Sequence, residues 1–161
     1  MNLVPEVEQF KEPSCIVIPR MDSNLLLPDV CIAEIVPWTQ TALSNDSVWG
    51  CLGSIQWREH TLPVVHDLNF SSAGQKSAAI LLAAQTPDCL VILNRTQSTA
   101  GPAFYALTAT GLPYLLPQVN IVPDETLGEP RPADQARVRI GDQQAIIPNL
   151  TYVEGKLAEL C

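Results

Sequence analysis

Residues Trp49 to Leu68, WGCLGSIQWREHTLPVVHDL, constrain the fold more than any other stretch. Cys51, Leu52, Ile55 and Trp57 supply apolar residues before a polar break at Arg58-Glu59-His60; Leu62, Val64 and Val65 supply them after it. Strands separated by so short a break pair antiparallel, because a parallel pair needs a long crossover. The stretch therefore reads as a β-hairpin with Arg58 at its tip. Gly53 falls inside the first strand, where glycine marks a bulge or a close backbone approach. Pro63 falls inside the second and cannot donate to a ladder, which places that strand at an edge or interrupts it. At these two residues ladder pairing is expected to be weakest and the backbone most accessible.

The rest of the chain follows the same rhythm. Ser14 to Pro19, Leu25 to Leu27, Val30 to Val36, Ala78 to Ala84, Leu90 to Leu93 and Ala103 to Ala109 read as strands, although alanine and leucine in AAILLAA also suit a helical turn. Glu34 interrupts Val30 to Val36 and reads as a solvent-facing strand residue. Thr86-Pro87-Asp88 is a turn signal. Asp124 to Gln135 is rich in proline and charge and reads as a linker or exposed loop. Arg137 to Ile140 and Gln143 to Ile147 flank Gly141-Asp142, a two-residue hairpin signal. Asn149 can cap a final helix whose stripe, Leu150, Val153, Leu157 and Leu160, has helical spacing. With fourteen prolines against eight glycines, a strand- and loop-rich fold is expected.

Few chemistries are open to these residues. A net charge of −8 disfavours nucleic acid and anionic membrane surfaces, both of which need lysine and arginine. The five cysteines form no CxxC, so neither a disulfide framework nor a zinc site is expected. Cys15, Cys31, Cys51 and Cys89 lie in apolar runs and read as buried, reduced core residues. No phosphate loop, GxSxG elbow or metal-ligand spacing is present, and no cofactor is expected. The acidic residues Asp124-Glu125, and Asp67 with Glu59, read as solvated. His60 and His66 are the only histidines. A cysteine-dependent enzyme using Cys51 opposite a residue near His66 is one reading; a buried strand cysteine is the other. Residues 1–13 lack the basic start and apolar core of a secretory signal, and no apolar run is long enough to span a bilayer. The chain is therefore expected to be soluble and cytoplasmic, a single domain over residues 1–161 with a flexible N-terminus over 1–13.

The central stretch resembles the CheW-like family of chemotaxis coupling proteins, whose signature runs roughly G-x-I-N-L-R-G-x-x-x-P-V-x-D-L. Gly53, Ile55, Arg58, Pro63 and Val64 match, with Gln56 for the Asn and Trp57 for the Leu. Glu59 stands where the family usually has glycine, and His66 where it has the acidic residue. Glu34-Ile35 is similar to a V-x-E-I segment preceding that hairpin, and the C-terminal hairpin and helix are similar to the family's end. The tryptophan before the arginine most resembles the divergent, ChpC-like coupling proteins of pilus-associated chemosensory systems.

The resemblance implies an all-β fold of two small SH3-like five-stranded barrels with a C-terminal helix. It implies a non-catalytic adaptor between the cytoplasmic tip of a methyl-accepting chemoreceptor and the regulatory domain of a CheA-type histidine kinase, in a two-component pathway tied to type IV pilus twitching motility. Glu34, Ile35, Gly53, Trp57, Arg58 and Pro63 would then be partner-binding residues, with none catalytic and none a metal ligand. The alternative is a standalone β-barrel module binding another protein or a small ligand outside chemotaxis.

Overall fold

Short β-branched runs broken by proline bury little alone, and in this chain they pair into two sheets. The computed structural model describes residues 14–21, 23–38, 51–70, 86–96, 101–116, 121–127 and 129–160. Within them lie eleven strands: β1 (Cys15–Ile18), β2 (Asn24–Pro28), β3 (Ile32–Pro37), β4 (Cys51–Trp57), β5 (His60–Val65), β6 (Cys89–Asn94), β7 (Phe104–Ala109), β8 (Tyr114–Leu116), β9 (Ile121–Pro123), β10 (Asp134–Ile140) and β11 (Gln143–Pro148). One helix, α1 (Leu150–Leu160), follows them. The expected strand at Ala78 to Ala84 and the N-terminal residues 1–13 lie outside the described residues.

One sheet has the order β3-β6-β7-β5-β4 and the other β8-β1-β2-β11-β10-β9. The chain opens the six-stranded sheet, leaves it to build the whole five-stranded sheet, and returns. The architecture is the expected all-β one of two sheet units and a C-terminal helix, with β9 as a sixth strand on one of them. Adjacent strands pair antiparallel except where the chain re-enters, at β2 with β11 and at β5 with β7.

Each sheet encloses apolar residues of its own. Leu52, Ile55, Trp57, Leu62, Val64, Leu90, Ile92 and Ala106 cluster in the five-stranded unit, and Val17, Leu26, Val138, Ile140 and Ala145 in the six-stranded one. A third cluster joins the two. Ile18, Leu25 and Leu27 of one sheet meet Val65, Val91, Leu93 and Leu107 of the other, together with Val153 and Leu157 of α1. Burial of this apolar surface, at ~25 cal/mol per Å², is what holds the two units together.

The helix starts as its sequence dictates. Asn149 Oδ1 accepts the Tyr152 N–H at 3.1 Å, and the Asn149 N–H donates to Ala133 O at 2.7 Å, which anchors the start of α1 beside β10. Val153 and Leu157 point into the shared core, as the stripe requires. Glu154, between them, is a buried carboxylate, 3% exposed. It accepts the Thr96 N–H and hydroxyl and the Tyr105 hydroxyl, the last at 2.8 Å, which binds α1 to the five-stranded unit. Burial first, and the Glu154 carboxylate second, push the Tyr105 phenol far above its ordinary range.

Several sequence expectations need correction. Val30 is 77% exposed in a 3-10 turn (Asp29–Cys31) entered from Pro28, and the strand begins only at Ile32. Asp134 and Gln135 belong to β10, so the proline-rich stretch ends in sheet; Ile121–Pro123, just before that stretch, pairs with the far end of β10. Asp124 is buried rather than solvated. Its carboxylate accepts the Thr126 N–H at 3.0 Å and hydroxyl at 2.5 Å, and Arg139 at 3.2 Å. Those Thr126 bonds, with Arg139 beside them, hold its carboxyl below the ordinary carboxylate range. Of the cysteines, Cys51 and Cys89 are buried, while Cys15 and Cys31 are only half-buried.

Candidate functional site

The hairpin forms as read, with a two-residue turn at Arg58-Glu59. Trp57 lies opposite His60, Gln56 opposite Thr61 and Ile55 opposite Leu62. Arg58 adopts φ 55°, the left-handed region that this kind of turn needs. Glu59 is outside that region, so a glycine is not required there. Holding a non-glycine residue in the left-handed region costs on the order of 1–2 kcal/mol. The partners of the Arg58 side chain offset part of that cost.

Those partners come from β3. Trp57 Nε1 donates to Glu34 Oε1 at 2.8 Å, and Arg58 NH2 donates to the same oxygen at 3.2 Å. The Arg58 guanidinium also covers the Trp57 ring, 4.5 Å from its centroid. β3 and β4 are the two outer strands of their sheet order, so Glu34 links the edges side chain to side chain and closes the unit. The expectation for Glu34 is thereby refined: its side chain is partly exposed, yet it is spent on two donors rather than on water. Behind this pair stand two further rings. His60 stacks on Trp57 with centroids 6.1 Å apart, and Phe104 of β7 meets Trp57 edge-on at 4.9 Å and His60 at 4.8 Å. Phe104 was not among the sequence candidates. Its only signal is an aromatic residue opening an alternating strand.

The bonds differ in weight. The Trp57 donor is largely buried and charge-assisted, worth ~1.5–3 kcal/mol. The Arg58–Glu34 ion pair is exposed, 67% on the arginine side, and worth no more than ~1 kcal/mol. Trp57 and Glu34 therefore set the geometry, and Arg58 is displayed on it. The outcome is a cation over an aromatic ring beside a carboxylate. Ile35, 39% exposed, follows Glu34 on β3, so its side chain leaves the other face of that strand. Arginine and tryptophan are residue types that carry much of the binding energy at protein interfaces.

Of the six sequence candidates, the structure gathers Glu34, Trp57 and Arg58, with Ile35 next along β3. Gly53 and Pro63 are not gathered there, and both are buried, against the expectation of an accessible backbone. Gly53 adopts φ 139°, a conformation for glycine, at the bulge between Cys51 and Gly53. Pro63 pairs with Ser54, and β5 is an interior strand rather than an edge; its ladder to β7 covers only Val64 and Val65, just beyond the proline. Both residues shape the hairpin from within.

Cys51 lies opposite Val65, as the hairpin register demanded, and is 5% exposed among apolar core residues. His66 places Nδ1 3.4 Å from the Thr108 hydroxyl. Among the described residues, no three His, Cys, Asp or Glu side chains are grouped to hold a metal ion, and no helix is long and apolar enough to cross a membrane.

No protein family and no curated protein matches the sequence. Among solved structures, the chain is similar to the scaffolding protein TtCheW from Thermoanaerobacter tengcongensis, with a TM-score of 0.61 at 14% identity, over 88% of this chain and 86% of that one. The fold is therefore CheW-like, an all-β arrangement of two sheet units with a C-terminal helix.

Proposed function

We propose that this protein is a non-catalytic adaptor of a chemosensory pathway, working in the cytoplasm as one domain over residues 1–161. It would hold the cytoplasmic tip of a methyl-accepting chemoreceptor and the regulatory domain of a CheA-type histidine kinase in one assembly. The observation that carries this reading is the meeting of Glu34, Trp57 and Arg58. Two segments that resemble separate parts of the coupling-protein signature converge on one exposed spot, on a fold shared with a scaffolding protein. Arg58, Trp57 and Glu34 form the contact surface, Ile35 adds an apolar contact on the other face of β3, and Gly53 and Pro63 set the hairpin that presents the surface.

The surface suits recognition rather than catalysis. Its ring system is held by packing, and its cation is already oriented by Glu34, so little side-chain freedom is lost when a partner docks. The Trp57-Arg58 pair supports a finer assignment to the branch of such systems that controls type IV pili and twitching motility. The test is a pull-down from the source organism with the purified chain, read by mass spectrometry, together with inspection of the neighbouring genes. A CheA-type kinase or a methyl-accepting receptor among the captured proteins supports the reading. Capture of neither, with no such genes alongside, favours a barrel module of another pathway.

A further inference from the structure

A cavity of about 310 Å³ lies where the two sheet units meet, and it shares no residue with the hairpin surface. Both units line it: Leu25 of β2 and Ile146 of β11 come from the six-stranded sheet, and Thr108 of β7 from the five-stranded one. Its floor is aliphatic, formed by Leu25, Leu68, Ala133 and Ile146, all of them in the core that joins the two units. A junction between two packed units, with an apolar floor and few polar groups, is where small-molecule sites most often form.

The charges around this floor cancel. Arg20 and Arg131 line the cavity, and so do Asp67 and Asp134. Each of the four is engaged within the fold. Arg20 NH2 donates to His66 O, and Arg131 Nε stands 3.9 Å from Asp134 Oδ2. The same Asp134 oxygen accepts Arg137 Nε at 3.0 Å and NH2 at 2.8 Å, and Asp67 Oδ1 accepts the Asn69 N–H at 3.0 Å. An ionic guest of either sign would give up its hydration and find each counter-charge already committed. An uncharged guest meets no such cost. The remaining polar capacity is a pair on the wall, Thr108 Oγ1 with His66 Nδ1 3.4 Å away. A hydroxyl both donates and accepts, and a ring nitrogen does one or the other by tautomer, so this pair suits a neutral hydrogen-bonding group.

We propose that this cavity is a binding site for an uncharged small molecule, an aromatic or branched hydrocarbon body bearing one hydroxyl or amide group. The body rests on Leu25, Leu68, Ala133 and Ile146, and its gain comes from the apolar surface it covers there. The polar group meets Thr108 and His66, which fix its orientation. The balanced charges around the floor exclude anions and cations alike. Size sets the guest. A cavity of ~150 Å³ accommodates benzene, so about twice that volume takes roughly twelve non-hydrogen atoms.

The test is calorimetric titration of the full chain with 2-naphthol, which is uncharged at neutral pH. Beside it stand 2-naphthoate and 2-naphthylmethylammonium, which put an anion and a cation on the same body. The expected result is saturable one-to-one binding of 2-naphthol with Kd below about 1 mM, and binding of both ions at least tenfold weaker. Arg131→Gln, an exposed lining position, leaves 2-naphthol binding unchanged. Ser23→Trp fills the cavity from its lining and abolishes that binding; Thr110→Trp, a second lining position, replaces it if circular dichroism shows Ser23→Trp unfolded. Absence of saturation by 2-naphthol overturns the proposal. So does binding of either ion as tight as that of 2-naphthol. Loss of 2-naphthol binding in folded Arg131→Gln overturns it too, since a charged group would then be the recognition element, and so does unchanged affinity in the folded tryptophan variant.

Discussion

Glu34 of β3 and Trp57 of β4 are hydrogen-bonded at 2.8 Å although their strands stand at opposite ends of the order β3-β6-β7-β5-β4. One carboxylate oxygen thus does what a ladder would otherwise do and brings the two edges together. The first prediction concerns this closure. Glu34→Gln keeps an amide oxygen for Trp57 Nε1 and should change stability by less than ~1 kcal/mol. Glu34→Ala leaves a largely buried indole N–H without its acceptor and should cost ~1–3 kcal/mol. Urea unfolding of the two variants measures the difference; equal losses would mean that the indole bond does not close the unit.

The helix stripe gives the second. Leu157 is 1% exposed in the core shared by both sheets. Leu157→Asp buries an unpaired charge and should cost several kcal/mol or release α1. A thermal melting curve that overlays the wild type would place this face outside the core.

The third comes from the same helix. A Cβ at Gly155 would meet nothing within 4 Å, and the residue is exposed. Gly155→Ala should therefore raise stability by ~0.5–1 kcal/mol, since alanine loses less backbone entropy on entering a helix. A lower unfolding midpoint in Gly155→Ala would show that α1 needs the glycine.

Much of this architecture is legible in the chain. The hairpin is written in apolar residues on either side of Arg58-Glu59-His60, and the last helix in an Asn cap with a three-four spacing. What is not legible depends on pairings between distant segments. Glu34 reads as a solvent-facing strand acid because nothing in its neighbours reveals that β4, at the opposite end of the sheet order, lies beside it. Only the resemblance of Glu34-Ile35 to a family segment pointed there. Glu154 sits on a helix where an acid normally faces water. Its burial follows from Tyr105 and Thr96, nearly fifty and sixty residues earlier. The place of Phe104 is illegible for the same reason, since the rings it meets, Trp57 and His60, come from a distant hairpin. Pro63 allows an edge strand or an interrupted ladder, and the second holds: β5 is interior, and its parallel ladder to β7 starts only at Val64.

The fourth prediction is a pH dependence. The folded-state pKa of Asp124 is depressed, first by its bonds from Thr126 and then by Arg139, from an ordinary value of 3.8. A depressed carboxyl stabilises the fold above the unfolded pKa, and that contribution is lost as pH falls through the folded one. Asp124→Asn should therefore be less stable than wild type at pH 7, and the gap should narrow below about pH 4. Unfolding midpoints compared at pH 7 and pH 3 read this directly. A gap that stays constant over that range would show that the Asp124 charge does not contribute.

The adaptor role rests on the surface formed by Arg58, and its most direct test is a binding titration. Arg58→Ala removes the guanidinium that lies over Trp57 and against Glu34, while leaving the Trp57–Glu34 bond to hold the edges. Arg95→Ala removes an arginine outside this surface, which donates to Gly101 O at 2.7 Å. Both variants are first shown to be folded by circular dichroism and melting. They are then titrated against the regulatory domain of a CheA-type kinase and against a receptor-tip fragment. The account predicts at least tenfold weaker binding for Arg58→Ala to one of the two, as expected when a desolvated charge-assisted contact worth ~2–5 kcal/mol is lost, and wild-type binding for Arg95→Ala. Superimposable curves for the two folded variants would contradict it.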